Sequence, residues 1–145
     1  MDELLVAYDD SEAAQAALAW TIDFVEQHGG SVLMLYVFSS VAVWELNAVQ
    51  VNTDPIRRNF QDLLDTKWSE PLRQAGVRFR TKLVVGRPAD AILATARATD
   101  VSLIVLGMTG RGMLHELIRG ATGRHVLHEA QRPVVAVPAG WRRRD

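Results

Sequence analysis

Short, uniformly apolar runs separated by helix-patterned stretches constrain this chain more than any other feature. Leu4–Tyr8, Val32–Val37, Val101–Leu106 and Val134–Val137 are apolar throughout except for Ser102. Runs of this length without polar alternation suit strands buried on both faces. A fifth run, Val77 to Val85, alternates Val77, Phe79, Thr81 and Leu83 with Arg and Lys, which predicts a strand nearer a sheet edge. Ser11 or Asp10 is placed to cap a first helix whose apolar positions include Ala14, Ala17, Leu18, Ile22 and Val25, ended by Gly29-Gly30. Pro55 suits the first turn of a helix running to about Gln74, with Ile56, Phe60, Leu63, Leu64, Trp68 and Leu72 on one face. Pro71 is expected to kink or shorten its last turn. Gly86-Arg-Pro88 turns the chain into a helix over Ala89–Thr99, and a last helix is expected from Arg124 to near Ala130. Ser39 to Asp54 has no clear period and reads as a long mobile loop with a helical turn near Trp44–Leu46. Trp44 and Trp68 read as packing residues.

Five strands alternating with four helices, with no linker and no repeat, predict one α/β domain over residues 1–145. Right-handed crossovers then give a mostly parallel sheet with helices on both faces. In such sheets ligands sit beyond the strand C-termini, where the strand order reverses. Three loops are expected to converge there: Asp9–Ser11, Val37–Ser40 and Gly107–Thr122. The third has the most pronounced pattern: Gly107-Met-Thr-Gly110, nine residues, then Gly120-Ala-Thr-Gly123. A buried strand, a glycine-spaced loop and a helix start is how an α/β protein offers backbone N–H groups to an anion, usually phosphate. Glycine matters because phosphate approaches a backbone only where no Cβ intervenes.

The bulk numbers narrow the classes. A net charge of −1 provides no overall field for nucleic acid or membrane. All 16 basic residues except Lys67 and Lys82 are arginines, scattered apart from Arg142-Arg143-Arg144, which reads as a solvated terminus. The lack of Cys excludes disulfides, thiolate metal sites and thiol catalysis. No apolar stretch is long enough to span a bilayer and no secretory leader is evident, so the cytoplasm is the expected compartment.

Several segments together resemble the universal stress protein family across almost the whole chain. Leu5-Val-Ala-Tyr-Asp9-Asp-Ser11-Glu is similar to its first strand and Asp-x-Ser. Gly86-Arg-Pro88-Ala89 followed by Ile92 is similar to its Gly-x-Pro turn and third helix. Gly107-x2-Gly110-x9-Gly120 matches its nucleotide-binding spacing, and Arg132-Pro-Val-Val-Ala-Val137 its terminal strand. The resemblance implies an adenine nucleotide alpha hydrolase-like fold, an open five-stranded sheet ordered 3-2-1-4-5. It also implies a cytoplasmic homodimer and, in the branch that keeps the glycines, bound ATP, with Mg²⁺ as a companion ion. By position, Ala7, Tyr8 and Asp9 would line the adenosine pocket and Val37 would meet adenine. Gly107, Met108, Gly110, Arg111, Gly120, Ala121 and Thr122 would surround ribose and phosphates. One departure stands out: the family pattern has Ser or Thr after the last glycine, and this chain has Ala121. A phosphate-bonding hydroxyl is missing there, which weakens the case for tight ATP binding but leaves the backbone cradle.

Other candidates are weaker. Asp9 suits a ribose or cation contact, whereas Asp10 suits an N-cap or a solvent-facing place. Of Arg111, Arg119 and Arg124, Arg111 is the best candidate for phosphate. His125 and His128 are one helical turn apart, but with no third ligand they argue for no metal; His115 reads as a surface residue. No nucleophile–base pair emerges, so at most slow ATP hydrolysis is expected, since phosphoryl transfer needs more than a cradle. The alternative function is a partner-binding dimer that does not take nucleotide. A phosphoacceptor receiver domain is rejected, because Val85-Gly86 and Pro138-Ala139 stand where its Asp and Lys would be. The edge formed by Val134, Val135, Ala136 and Val137 is the expected dimer interface, since a bare apolar edge is avoided in soluble proteins.

Overall fold

The computed structural model describes residues 2–108 and 129–144. Five parallel strands form one sheet in the order β3-β2-β1-β4-β5, as the resemblance implied. The strands are β1 (Glu3–Ala7), β2 (Ser31–Ser39), β3 (Phe79–Gly86), β4 (Leu103–Gly107) and β5 (Val134–Val137). Alternation of side chains across the sheet divides the core in two. Leu5, Ala7, Leu33, Leu35, Ile104 and Leu106 pack with Ile92, Leu93 and Ala96 of α5 (Pro88–Thr99) on one face. Leu4, Val6, Tyr8, Val32, Met34 and Val105 pack on the other, beneath α1 (Glu12–His28), α3 (Asp54–Asp65) and α4 (Glu70–Gln74).

Local chemistry fixes the ends of α1. The Ser11 hydroxyl accepts from Ala14 N–H at 3.1 Å, so Ser11 is the N-cap. Gly29 closes the helix at φ 82°, its N–H donating to Val25 O at 2.8 Å. Asp10 does not cap; it adopts φ 64° and turns its carboxylate to the Tyr8 hydroxyl.

Three expectations fail. Residues 40–48 form a helix, α2 (Ser40–Ala48), where a long loop was expected. In sequence its apolar residues Val41, Ala42, Val43, Trp44 and Leu46 are distributed around the helix, so no amphipathic period betrays it. Trp44 is 72% exposed and is not a core residue, whereas Trp68 is buried. The expected helix from Pro55 to Gln74 is two helices, α3 (Asp54–Asp65) and α4 (Glu70–Gln74), giving five helices among the described residues instead of four in the whole chain. Pro71 explains the break: it has no N–H, and its ring would collide with the carbonyl of Lys67 in a continuous helix. It sits instead in the first turn of α4, where both defects are harmless.

The two edges of the sheet differ. β3 turns Arg80 and Lys82 to solvent along its length, and Arg80 reaches across β2 to make paired 2.8 Å bonds to Glu3. At the other edge, Val134 and Val135 pack against opposite faces of the core and Ala136 is exposed. The C-terminal segment is not simply solvated. Trp141 packs on the α1 face, and Arg143 pairs with Asp23 at 2.8 Å and Glu26 at 3.0 Å.

Candidate functional site

Strand pairing defines a gap at the C-terminal ends of β1 and its neighbours. β1 pairs with β2 as far as Ala7–Leu35 and with β4 as far as Val6–Val105. Beyond Tyr8, whose N–H still bonds β2, Asp9–Ser11 departs from both neighbours to enter α1, on the face opposite α5. This is the switch point of the sheet, where the crossover direction reverses.

β2 continues past the end of β1. Tyr8 N–H donates to Leu35 O at 2.8 Å, and Val32 N–H donates to Arg78 O at 3.0 Å. Odd-numbered residues of β2 therefore turn their backbone groups toward β1, and even-numbered ones toward β3. Val37 is next in the odd series, and no β1 residue pairs with it. Its N–H and C=O, a donor and an acceptor side by side, thus border the gap, while its side chain is buried in the core.

Asp9 stands across the gap from them. One carboxylate oxygen accepts from Ser11 N–H at 3.0 Å, which fixes the loop that leads into the helix cap. The Asp9 charge is felt by both tyrosines of the chain. Burial holds the Tyr8 phenol well above its ordinary value of 10.0, with the charge and hydrogen bond of Asp10 adding to it and Asp9 contributing last. Burial, then Asp9, raises Tyr36 likewise. The unfolded chain loses these protons near pH 10 and the folded chain keeps them. Stability is therefore fully present below that pH and falls as pH rises above it, by about 1.4 kcal/mol per pH unit for a fully retained proton. In urea titrations the unfolding midpoint is expected to drop above pH 10, with a shallower slope in Tyr8→Phe. Phenolate absorbance from the folded protein near pH 10 would contradict this.

The first glycine of the loop has a structural duty. A Cβ at Gly107 would lie 2.5 Å from the Ala13 carbonyl carbon and 2.7 Å from both its Cβ and its oxygen. α1 thus crosses β4 in direct backbone contact, and glycine is required there whether or not a ligand binds. Met108 is 48% exposed, and its N–H is already committed to Val137 O at 2.7 Å. Ala7 is buried, and the Tyr8 ring is turned beneath α1 and α4, away from the α5 side of the sheet. Parity along β1 contained that signal, because Leu4, Val6 and Tyr8 share a face. Gly110, Arg111, Gly120, Ala121 and Thr122, along with His115, Arg119, Arg124, His125 and His128, lie outside the described residues.

A family model described as the universal stress protein family matches residues 1–138. The chain belongs to the universal stress protein family. A curated relative, a universal stress protein from Thermus aquaticus encoded in the 3′ region of a QAH/OAS sulfhydrylase, is 30% identical over 135 residues, covering 92% of this chain and 96% of that one. Among solved structures, a universal stress protein in complex with cAMP superimposes with a TM-score of 0.70 at 16% identity, covering 96% of this chain and 98% of the other. The universal stress protein of Archaeoglobus fulgidus in complex with dAMP gives 0.65 at 22% identity, covering 94% and 97%. No described helix is long and apolar enough to cross a membrane.

Proposed function

We propose that this universal stress protein is a cytoplasmic homodimer that binds an adenine nucleotide at the strand-end gap, with occupancy biasing its choice of protein partner. The N–H and C=O of Val37, which have no β1 partner among the described residues, carry this reading. Adenine presents an adjacent donor and acceptor on its Watson–Crick edge, and a strand that outruns its neighbour offers the complement. Asp9 supplies a carboxylate for ribose hydroxyls, and the related folds with dAMP and cAMP support the ligand class. The phosphate end rests on the sequence alone, with the backbone of Gly110, Gly120 and Thr122 and the guanidinium of Arg111 as candidates. An ATP phosphate chain would bring Mg²⁺ as counter-charge.

Ala121 provides the test. A hydrogen bond to a charged group contributes about 1.5–3 kcal/mol, and about 1.4 kcal/mol is tenfold in affinity. Calorimetry is expected to show micromolar or weaker ATP binding, tightened about tenfold by Ala121→Ser, with adenosine binding unchanged. Gly120→Val should abolish ATP binding in a folded protein. Equal tightening for both ligands would put the phosphates elsewhere. Absence of any binding would favour the second reading, a partner-binding dimer with no nucleotide, which the exposed Trp44 and Val49 also suit.

We propose β5 as the dimer edge. Ile104 and Met108 N–H groups donate to the carbonyls of Pro133 and Val137. Odd-numbered residues of β5 therefore face β4, and the backbone of Val134 and Ala136 points to the outer edge. Ala136→Pro removes one outward N–H without touching the β4 ladder. Light scattering is expected to show monomers for this variant; an unchanged dimer mass would exclude this edge.

A further inference from the structure

A cavity of about 450 Å³ opens on the opposite side of Tyr8, between α1 and the α3–α4 junction. It is separate from the strand-end gap, since its walls belong to the sheet face covered by α1. One end is polar. The Tyr8 hydroxyl donates to Asp10 Oδ1 at 3.1 Å, and Gln15 Nε2 donates to the Asp10 carbonyl at 3.2 Å. The Tyr8 hydroxyl and one of the two Gln15 amide hydrogens are thereby spent on Asp10. What this end still offers is mostly acceptors: the second Asp10 carboxylate oxygen, which has no partner among the described residues, and the Gln15 amide oxygen, beside one remaining Gln15 N–H. The remaining wall is apolar, with Leu18 and Ile22 on successive turns of α1 facing Trp68. Lys67 stands exposed at the lining, the one cation among these groups.

A carboxylate-bearing, acceptor-rich end beside an apolar trough favours a cationic ligand head that donates. We propose that this cavity is a second small-molecule site, one that takes an amphipathic primary amine with an aromatic or branched aliphatic body. The ammonium group rests on the Asp10 carboxylate and the Gln15 amide oxygen, and the body lies against Leu18, Ile22 and Trp68. The volume is within the ~300–1,000 Å³ of small-molecule sites and accommodates one or two fused rings. An anion of the same shape finds one Gln15 N–H at this end and the Asp10 charge against it. Asp10 and Lys67 are both exposed, so the preference for an ammonium over a carboxylate is severalfold and no more. Asp10 is also suited to hold this position, because Asp and Asn tolerate the left-handed φ of 64° found there better than most side chains.

The test is an NMR titration of the full chain with 2-phenylethylamine and, separately, with 3-phenylpropanoate, which replaces the ammonium by a carboxylate. The amine is expected to bind in the millimolar range or tighter and to shift the Trp68 indole N–H and the Gln15 and Ile22 amides. The acid should bind at least fivefold more weakly. Asp10→Asn, which keeps the backbone preference and removes the charge, should weaken the amine at least threefold. Ile22→Phe, which fills the trough, should weaken it further while Asp10 is intact. Equal affinity for amine and acid, shifts confined to other residues, or an unaffected Asp10→Asn would each overturn the proposal. Failure of nucleotide to bind at the strand-end gap would leave it untouched, since the two sites share no side-chain wall.

Discussion

Gly107→Ala is expected to destabilise the protein by about 3 kcal/mol or more, and Gly107→Val to prevent soluble expression. The added Cβ would sit 2.5 Å from a backbone carbon and 2.7 Å from a backbone oxygen of Ala13. A flexible side chain could swing away; the first turn of α1 cannot, because Ser11 caps it and Ala13, Ala14 and Ala17 are packed in the core. Relief requires lifting the helix from β4, which opens space under Ala14, Ala17 and Leu18 as well. Ordinary overpacking costs about 1–3 kcal/mol, and a collision with backbone belongs at or beyond the upper end. Urea denaturation decides the matter: a Gly107→Ala midpoint equal to that of the parent would mean that α1 has slack the packing does not suggest. The result also separates two meanings of one glycine. Loss of ATP binding in a Gly107 variant would report a damaged fold, so only Gly110 and Gly120 can test the phosphate cradle.

Trp68→Ala should cost about 3–5 kcal/mol, the range for removing a large buried aromatic. Trp68 is 6% exposed and stands at the centre of a ring cluster, 5.6 Å from Tyr8, 5.5 Å from Tyr36 and 6.0 Å from Phe60 between centroids. It joins the ends of β1 and β2 to α3, so its loss loosens both walls of the cavity beside it. Trp44→Ala, by contrast, removes a side chain that is 72% exposed and should shift stability by no more than about 0.5 kcal/mol. Thermal unfolding of the two variants side by side is the check. Comparable losses would mean that Trp44 is covered in solution, most simply by a second chain.

The contrast between those tryptophans also marks what the sequence could convey. Strands buried on both faces announce themselves, because Leu33, Leu35 and Ile104 have apolar residues on both sides in sequence. The strand order followed from the family resemblance, and the alternation of strands and helices supplied the parallel sheet. α2 showed in the sequence only as a helical turn near Trp44–Leu46, because a segment whose apolar residues are consecutive has no stripe to detect. The break before α4 was misplaced because Pro71 forbids a helix through Lys67 yet starts one happily at Glu70, and sequence alone does not say which effect prevails. At the site, Val37 was named through the family, but the physical reason, a strand outrunning its neighbour, depends on where β1 stops. The Asp10–Gln15–Trp68 cavity brings together residues more than fifty positions apart and has no local pattern at all.

A sheet with one armed edge and one bare edge has a direction of growth. The exposed Lys82 guards β3 against a neighbouring strand, while among the described residues β5 presents the outward amides of Val134 and Ala136 with nothing charged between them. Two chains that join bare edge to bare edge across a two-fold axis make a continuous ten-stranded sheet whose outer margins are both the guarded kind. Addition then has nowhere further to go. In such a dimer fibre formation, the usual hazard of an apolar margin, would be closed off by arithmetic rather than by bulk, and a mutation that neutralises Lys82 would reopen it.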